Sequence, residues 1–270
     1  MFINPIGLKT ISIMFKIFKI ILLTFLGTMC IVPIIYLLIF SLAENWFYPQ
    51  ILPSNLTWKH WKYITQSGNN LVSGFILSLL ISTSVGLVST FAGFITSRFI
   101  IESKNKQTWL FLTYLPFVFS PVILGISVFV IFLKLNLAGT FIGVSLAQLL
   151  IIYPFATLFF VGFWNNKHKQ LEEIAKTMGA NSFQVYQYVL IPASTGMLMV
   201  CFFQSFLLSW FEYGLSSRIG IGKVKTLTII VFQYINESNS IYAALACCLI
   251  IIPPTVLLIL NKRILFRRIA

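Results

Sequence analysis

Six long apolar runs, separated by polar segments, dominate the pattern of hydrophobic and polar positions along this chain. Each run has about 20 residues or more, enough for a helix to cross a hydrocarbon core of about 30 Å. Lipid offers the backbone no hydrogen-bond partners, so each run is predicted to be helical. The predicted membrane helices are Ile17–Leu42, Leu71–Ile95, Trp109–Leu133, Phe141–Phe163, Ser194–Leu215 and Ile241–Leu260.

The composition makes lipid the solvent for much of the chain. Hydrophobic residues make up 58% of it and charged residues only 9%, against about 25% charged residues in soluble domains. The alternating pattern of a membrane barrel is absent. We therefore expect an all-α, multi-pass protein of a cell inner or plasma membrane, with one transmembrane domain over residues 1–270.

The positions of Lys and Arg predict the orientation, because cytoplasmic loops carry an excess of these residues. A cytoplasmic N-terminus puts thirteen of them inside and six outside, so both termini are predicted to be cytoplasmic. The net charge of +13 is then assigned to anionic lipid headgroups rather than to nucleic acid. The six outer residues are Lys59, Lys62, Lys134, Arg218, Lys223 and Lys225.

Small residues recur at every fourth position of the second apolar run. This spacing keeps them on one helical face, which predicts a seam for a closely packed neighbouring helix or, alternatively, a face that lines a solute path. The five residues are Gly74, Ser78, Ser82, Gly86 and Thr90.

Residues for catalysis or metal binding do not cluster in this sequence. The four cysteines lie inside apolar runs without metal-ligand spacing, and the two histidines are far apart. The stretch Gly220–Lys223 lacks the spacing and the hydroxyl of a nucleotide-binding loop. We expect no catalytic site, no metal and no ATPase activity in this chain.

The inner loop at about residues 165–192 has the most informative pattern. Leu171, Ile174, Ala175 and Met178 share one face of a short helix, and Gly179 suits a left-handed stop. A second helix with a cap at residues 181–182 is expected before Pro192, which marks the start of the fifth membrane helix. Two short amphipathic helices of this kind can dock into a partner's groove or pack on their own protein.

This loop resembles the cytoplasmic motif of ABC importer permeases: Glu-Ala-Ala, three residues, Gly, nine residues, Ile-x-Leu-Pro. The chain has Glu173-Ile174-Ala175, then Gly179, then Val189–Pro192 at the same spacing. Ile174 replaces an alanine and gives the docking face a bulkier side chain. Leu115-Pro116 with Pro121, and three further stretches, are similar to spermidine/putrescine-type permeases. These three are Leu135–Gly143, Tyr153–Phe155 and Thr226–Ala244.

The resemblance implies a type I importer permease. Its partners would be a cytoplasmic ATPase dimer, which holds the ATP and Mg²⁺, a second permease subunit, identical or homologous, and an extracytoplasmic solute-binding protein. The solute would be a polyamine or another solute of that group, such as iron, thiamine, phosphonate or sulfate. The implied ATPase-coupling residues are Leu171, Glu172, Glu173, Ile174, Ala175, Met178, Gly179, Ala180, Phe183 and Pro192.

Glu212 is the only acidic residue of the fifth apolar run, and Ser209 and Trp210 precede it. In polyamine-type relatives this stretch is similar, so the resemblance implies a solute contact or an outer gate at these three residues. A helix from Ser194 places Glu212 about 27 Å along, near the outer interface. There it can instead meet water or pair with Arg218.

An ion-driven secondary transporter or a channel is the alternative function. Such proteins usually carry several ionisable groups in the middle of the membrane. Many carriers are also built from inverted repeats. The sequence contains neither feature, which favours the ABC permease.

The orientation predicts the labelling of single cysteines introduced into the polar loops. Cysteines at Lys59 and Lys225 should react with a membrane-impermeant thiol reagent in intact cells. Those at Lys104 and Lys169 should react only after the membrane is opened, with the unsubstituted chain as the control. Labelling at Lys169 in intact cells would contradict the predicted topology.

Overall fold

The computed structural model describes residues 5–46, 50–64, 70–164 and 166–269, and helices account for most of them. A 3-10 turn (Leu115–Val118) follows α4, and a π-helix (Val185–Leu190) lies between α8 and α9. The α-helices are α1 (Pro5–Ser41), α2 (Lys59–Ile64), α3 (Asn70–Glu102), α4 (Lys106–Tyr114), α5 (Pro121–Lys134), α6 (Phe141–Phe163), α7 (Asn166–Thr177), α8 (Ser182–Gln184), α9 (Ile191–Trp210), α10 (Gly214–Ile219), α11 (Leu227–Asn236) and α12 (Ser240–Ile269).

Within the described residues, five helical stretches are long and apolar enough to cross a membrane. They are Lys16–Ser41, Asn70–Glu102, Phe141–Phe163, Ser182–Trp210 and Ser240–Leu260. A sixth crossing requires that α4 with its 3-10 turn and α5 count as one span, although the two parts meet at 97°. The all-helical fold is therefore as expected, and the predicted third helix, Trp109–Leu133, is not one straight helix.

The bend between α4 and α5 has a local cause. Phe119 and Ser120 have extended backbones, with ψ of 140° and 141°. Pro121 follows as the first residue of α5. A proline disfavours the helical conformation of the residue before it and has no N–H to continue the upstream helix. The chain thus leaves one helix and starts another in a new direction.

The fifth predicted helix, Ser194–Leu215, differs from the structure at both ends. The helical stretch begins earlier, at Ser182, because the second loop helix runs through the π-helix into α9 without a break. It ends earlier too, at Trp210, and residues 214–219 form the separate helix α10. Glu212 consequently lies in the turn between two helices rather than inside a membrane helix.

The central element is α3, which packs chiefly against α6 and α9. All five small residues predicted to form a seam are buried: Gly74, Ser78, Ser82, Gly86 and Thr90. A β-carbon at Gly86 would lie 3.2 Å from Phe202, and one at Gly93 would lie 2.8 Å from the backbone of Ala156 in α6. The seam prediction is confirmed, since only small residues allow these helices so close.

Two further helices complete the bundle around α3. The short helix α11 buries Leu227, Ile230 and Val231 against α3 and α12. The Leu227 N–H donates to the Ser78 hydroxyl at 2.7 Å, which ties α11 to the seam. In contrast, α1 packs chiefly along α12 and leaves most of its described apolar side chains exposed, as expected for a helix surrounded by lipid.

An exposed ion pair ties together the segment that follows α1. The Lys59 ammonium donates to Glu44 at 2.8 Å, and the backbones of Ala43 and Leu56 form an antiparallel bridge. The hydrogen bond from Lys59 lowers the pKa of the Glu44 carboxyl, and the same contact raises the pKa of Lys59. This segment lies at the opposite end of the bundle from residues 165–192.

The close approach of α3 and α6 predicts opposite effects for two Gly→Ala substitutions. Gly93→Ala should lower the free energy of unfolding by about 1–3 kcal/mol, because its β-carbon meets rigid backbone. Gly162→Ala is the matched control, since it gains the same helix propensity and meets nothing within 4 Å. Thermal unfolding in detergent measures both. Equal melting temperatures for the two variants would contradict the seam.

Candidate functional site

Residues 166–192 of the predicted loop fold as a helix, a left-handed turn and a second capped helix. Helix α7 ends at Thr177, and Gly179 has φ of +87°, a conformation that glycine adopts without a steric penalty. Asn181 and Gln184 then form a reciprocal capping box, in which each side chain accepts from the other residue's backbone N–H. The predicted stop and cap are both confirmed.

The predicted apolar face of α7 has one buried edge and one exposed edge. Ala175 is buried in a cluster with Phe94, Phe160 and Val185, so one edge of α7 packs on its own chain. The other edge of α7, together with Phe183 of α8, consists of large apolar side chains that stay exposed, and we call these residues the docking face. Its members are Leu171 (42% exposed), Ile174 (58%), Met178 (82%) and Phe183 (74%).

The remaining loop residues that the resemblance implies are distributed around this face. Ala180 is half-buried against the same core cluster as Ala175, and Pro192 is exposed in the first turn of α9. Glu173 is also exposed and lies 4.0 Å from Lys169 on the same helix. Glu172 points the other way, toward the membrane bundle, and is largely buried.

Glu172 meets a buried arginine from α3. Its Oε2 pairs with Nη2 of Arg98, and its Oε1 accepts from Lys176 at 2.7 Å. Arg98 is only 7% exposed, and its Nε also donates to Glu102 at 3.1 Å. The guanidinium lies 5.0 Å from the ring centre of Tyr186. Aromatic faces attract such a cation, so this cluster joins α3, α7 and the π-helix.

A cavity of about 760 Å³ lies between α5, α6, α9 and α10, toward the end of α9 that is farther from the docking face. Its volume is that of a small-molecule site. Its lining is mostly apolar and contains no Lys or Arg among the residues that the structure describes. The aromatic and polar lining residues are Phe155, Phe211, Tyr213, Gln148, Gln204 and Glu212.

Internal donors occupy both oxygens of the Glu212 carboxylate. One oxygen accepts from the Leu215 N–H at 2.6 Å, and the other from the N–H and hydroxyl of Ser216 at 2.9 and 2.6 Å. An acidic side chain is favourable at this position, because the first N–H groups of a helix have no partner within it. Glu212 therefore caps the start of α10.

A chain of hydrogen bonds extends from this cap into the bundle. The side-chain amide of Gln148 donates to the Ser216 hydroxyl at 2.9 Å and accepts from the Ser209 hydroxyl at 2.5 Å. Ser209 thus lies behind Gln148 rather than on the cavity surface. Trp210 is directed toward α12, where its indole N–H donates to the carbonyl of Ile250 at 3.0 Å. The proposed roles of these residues in a solute path stay predictions.

Comparison with known proteins bears directly on these two sites. Residues 89–270, more than half of the chain, match the family described as binding-protein-dependent transport system inner membrane component. The chain belongs to this family. The permease is accordingly a multi-pass membrane protein of the inner-membrane transport class and not an enzyme. The matched region contains the cavity, the whole loop 165–192 and Arg98.

Individual relatives are similar to the permease at low identity. It is 27% identical to the chloroplastic sulfate permease 2 of Chlamydomonas reinhardtii over 52% of its own length and 42% of the relative. The inner membrane ABC transporter permease protein YnjC of Escherichia coli is 27% identical over 63% and 33%. The maltose/maltodextrin transport system permease protein MalG of Yersinia pestis is 24% identical over 85% and 84%. The permease thus spans less than half of the first two relatives.

The roles of two polar residues that organise these sites, Gln148 and Arg98, are not among the predictions made from the sequence. Gln148 is the only side-chain amide of α6, and a lone amide in an apolar helix is a recognisable signal. The sequence pattern assigns Arg98 no role beyond that of one of the thirteen cytoplasmic Lys and Arg residues. Its partner Glu172 lies 74 positions away along the chain, and nothing in the sequence pairs the two.

Proposed function

We propose that this permease forms part of the solute path of an ABC importer and couples that path to a separate ATPase through residues 165–192. The docking face carries this proposal. Four large apolar side chains are held in water on a loop whose other edge is packed into the core. A rigid apolar face of this kind fits the groove of a partner protein.

The partners follow from the same proposal. The permease would assemble with an ATPase dimer, a second permease subunit and an extracytoplasmic solute-binding protein. ATP binding would close the ATPase dimer and move the docked α7. The membrane helices would then change between inward-facing and outward-facing arrangements, because differential contacts bias a two-state bundle. The nucleotide chemistry belongs to the ATPase.

The alternative of an ion-driven carrier or channel has less support. The described lining of the cavity contains one ionisable carboxylate, Glu212, and its oxygens already accept hydrogen bonds from α10. A proton or cation pathway through the membrane usually requires several such groups that face water. A docking face on the loop also has no role in a carrier that works without an ATPase.

For the solute, the cavity favours an uncharged polar molecule of the saccharide class. An anion such as sulfate would find no Lys or Arg in the described lining, and a polyamine would find only the occupied carboxylate of Glu212. Burying a charge without a partner is costly. Gln204 and the aromatic side chains suit a neutral solute, in line with the maltodextrin named for the relative MalG.

Charged substitutions on the docking face should weaken ATPase binding. Burying Met178 in a groove stabilises the complex by about 1.5–3 kcal/mol, so Met178→Glu should lower the affinity about tenfold or more. Copurification of the ATPase subunit with the permease in detergent measures this. Gln170→Glu adds the same charge to α7 at an exposed polar position and serves as the control. Full ATPase binding by Met178→Glu would contradict the docking role.

The solute class can be tested by ATP hydrolysis of the assembled importer in proteoliposomes with its solute-binding protein. Maltotriose should stimulate hydrolysis, whereas spermidine and sulfate should not. Gln204→Leu should reduce the stimulation roughly tenfold, because it removes an amide from the cavity wall. This corresponds to a loss of about 1–2 kcal/mol in coupling free energy. Stimulation by spermidine that is abolished in Glu212→Gln would instead support a polyamine as the solute.

A further inference from the structure

Arg98 occupies an unusual position for a charged side chain. It lies on α3 four residues before that helix ends, and it is 7% exposed among aromatic rings. Buried arginines are rare unless they are paired. Its partners from outside α3 are Glu172, Tyr186 and Trp164, which lie in the docking loop or at the end of α6 just before it, so the cluster lies between the docking face and the membrane bundle.

The geometry of the cluster requires a guanidinium. Nη2 pairs with Glu172 on α7, while Nε donates to Glu102 one turn along α3, so the planar fork serves two carboxylates in different directions. The ring centres of Tyr186 and Trp164 lie 5.0 and 5.8 Å from the guanidinium carbon. Nη1 is buried without a hydrogen-bond partner among the described residues. A lysine would supply one point charge and lose the fork.

The pair Arg98–Glu172 resists separation because both charges are out of water. Glu172 is 12% exposed and Arg98 is 8% exposed at the side chain, so pulling α7 away would leave two buried charges unpaired. Breaking a buried pair is much more costly than breaking an exposed one. The pair of Glu173 with Lys169, at 4.0 Å and exposed, has no comparable hold on α7.

We propose that Arg98 is a positioning residue that fixes the docking helix α7 to α3 and so carries the movement of a docked ATPase to the membrane bundle. This inference rests on the proposed coupling function. Helix α3 packs closely on α6 and α9, which form two walls of the cavity. A displacement of α7 is therefore passed through Glu172 and Arg98 to the helices that surround the solute.

The π-helix between α8 and α9 gives the cluster a second attachment. Tyr186 belongs to this segment, which is continuous with α9 and buries Val185 and Leu190. Helical stretches of this type often occur at functional sites. Arg98 thus contacts both ends of the docking loop, α7 through Glu172 and the π-helix through Tyr186. The two contacts make the loop move as one body with α3.

The test uses the complete importer with its ATPase and solute-binding protein in proteoliposomes. Arg98→Gln and Glu172→Gln should still bind the ATPase, while the ratio of maltotriose-stimulated to basal ATP hydrolysis falls about tenfold. The double variant should lose no more than either single variant, because the two side chains act as one pair. Arg98→Lys should recover part of the ratio. Glu237→Gln is the control, since it removes an exposed carboxylate that lies outside this cluster and accepts a hydrogen bond from Gln233.

A distance measurement separates positioning from simple stabilisation. Spin labels at Lys169 on α7 and Lys106 on α4 should give one narrow distance distribution in the wild type and a broad one in Arg98→Gln. An unchanged ratio and an unchanged distribution in Arg98→Gln and Glu172→Gln would overturn the inference, and so would loss of ATPase binding in both. If Met178→Glu binds the ATPase normally, the failure lies instead in the proposed coupling function.

Discussion

The close approach of α3 to α6 and α9 is the constraint on which the other features of this permease depend. Helices in lipid gain little from burying apolar side chains against one another, so their association relies on tight packing and hydrogen bonds. Gly86 and Gly93 provide the contact distance, and Ser78 adds a hydrogen bond to α11. A bulky residue at either glycine would push apart the helices that form the cavity wall.

The two candidate sites lie at opposite ends of these packed helices. At one end, the core cluster around Phe94 and Phe160 receives Ala175 and Leu190 from the docking loop. At the other end, the hydrogen bonds of Gln148 join α6, α9 and α10 beside the cavity. Close-packed protein interiors have low compressibility and transmit strain. Under the proposed function, a displacement at the docking face would therefore reach the cavity without direct contact between the two sites.

Polar groups inside the bundle are held in hydrogen bonds to one another and to the start of a helix. The carboxylate of Glu212 satisfies the N–H groups at the start of α10, and Ser216 and Gln148 continue the same network. In a low-dielectric interior each of these groups would be costly if left unpaired. The network keeps α10 against α6, which shapes the cavity. In the proposed function, selection of a solute would then depend on the cavity's form and on Gln204 in its lining.

The sequence by itself determined most of the membrane helices, the turn at Gly179, a helix cap at residues 181–182 and the small-residue seam. These features depend on local composition and on residue spacing, both of which can be read directly from the sequence. Only the tertiary structure decided that α4 and α5 meet at 97°, that α9 stops at Trp210, and that Arg98 finds Glu172. Pro121 fixes locally where the chain bends, whereas the angle of the bend, the end of α9 and the Arg98–Glu172 pair depend on packing between segments far apart in sequence. There several local conformations are nearly equal in energy, and the long-range contacts select one.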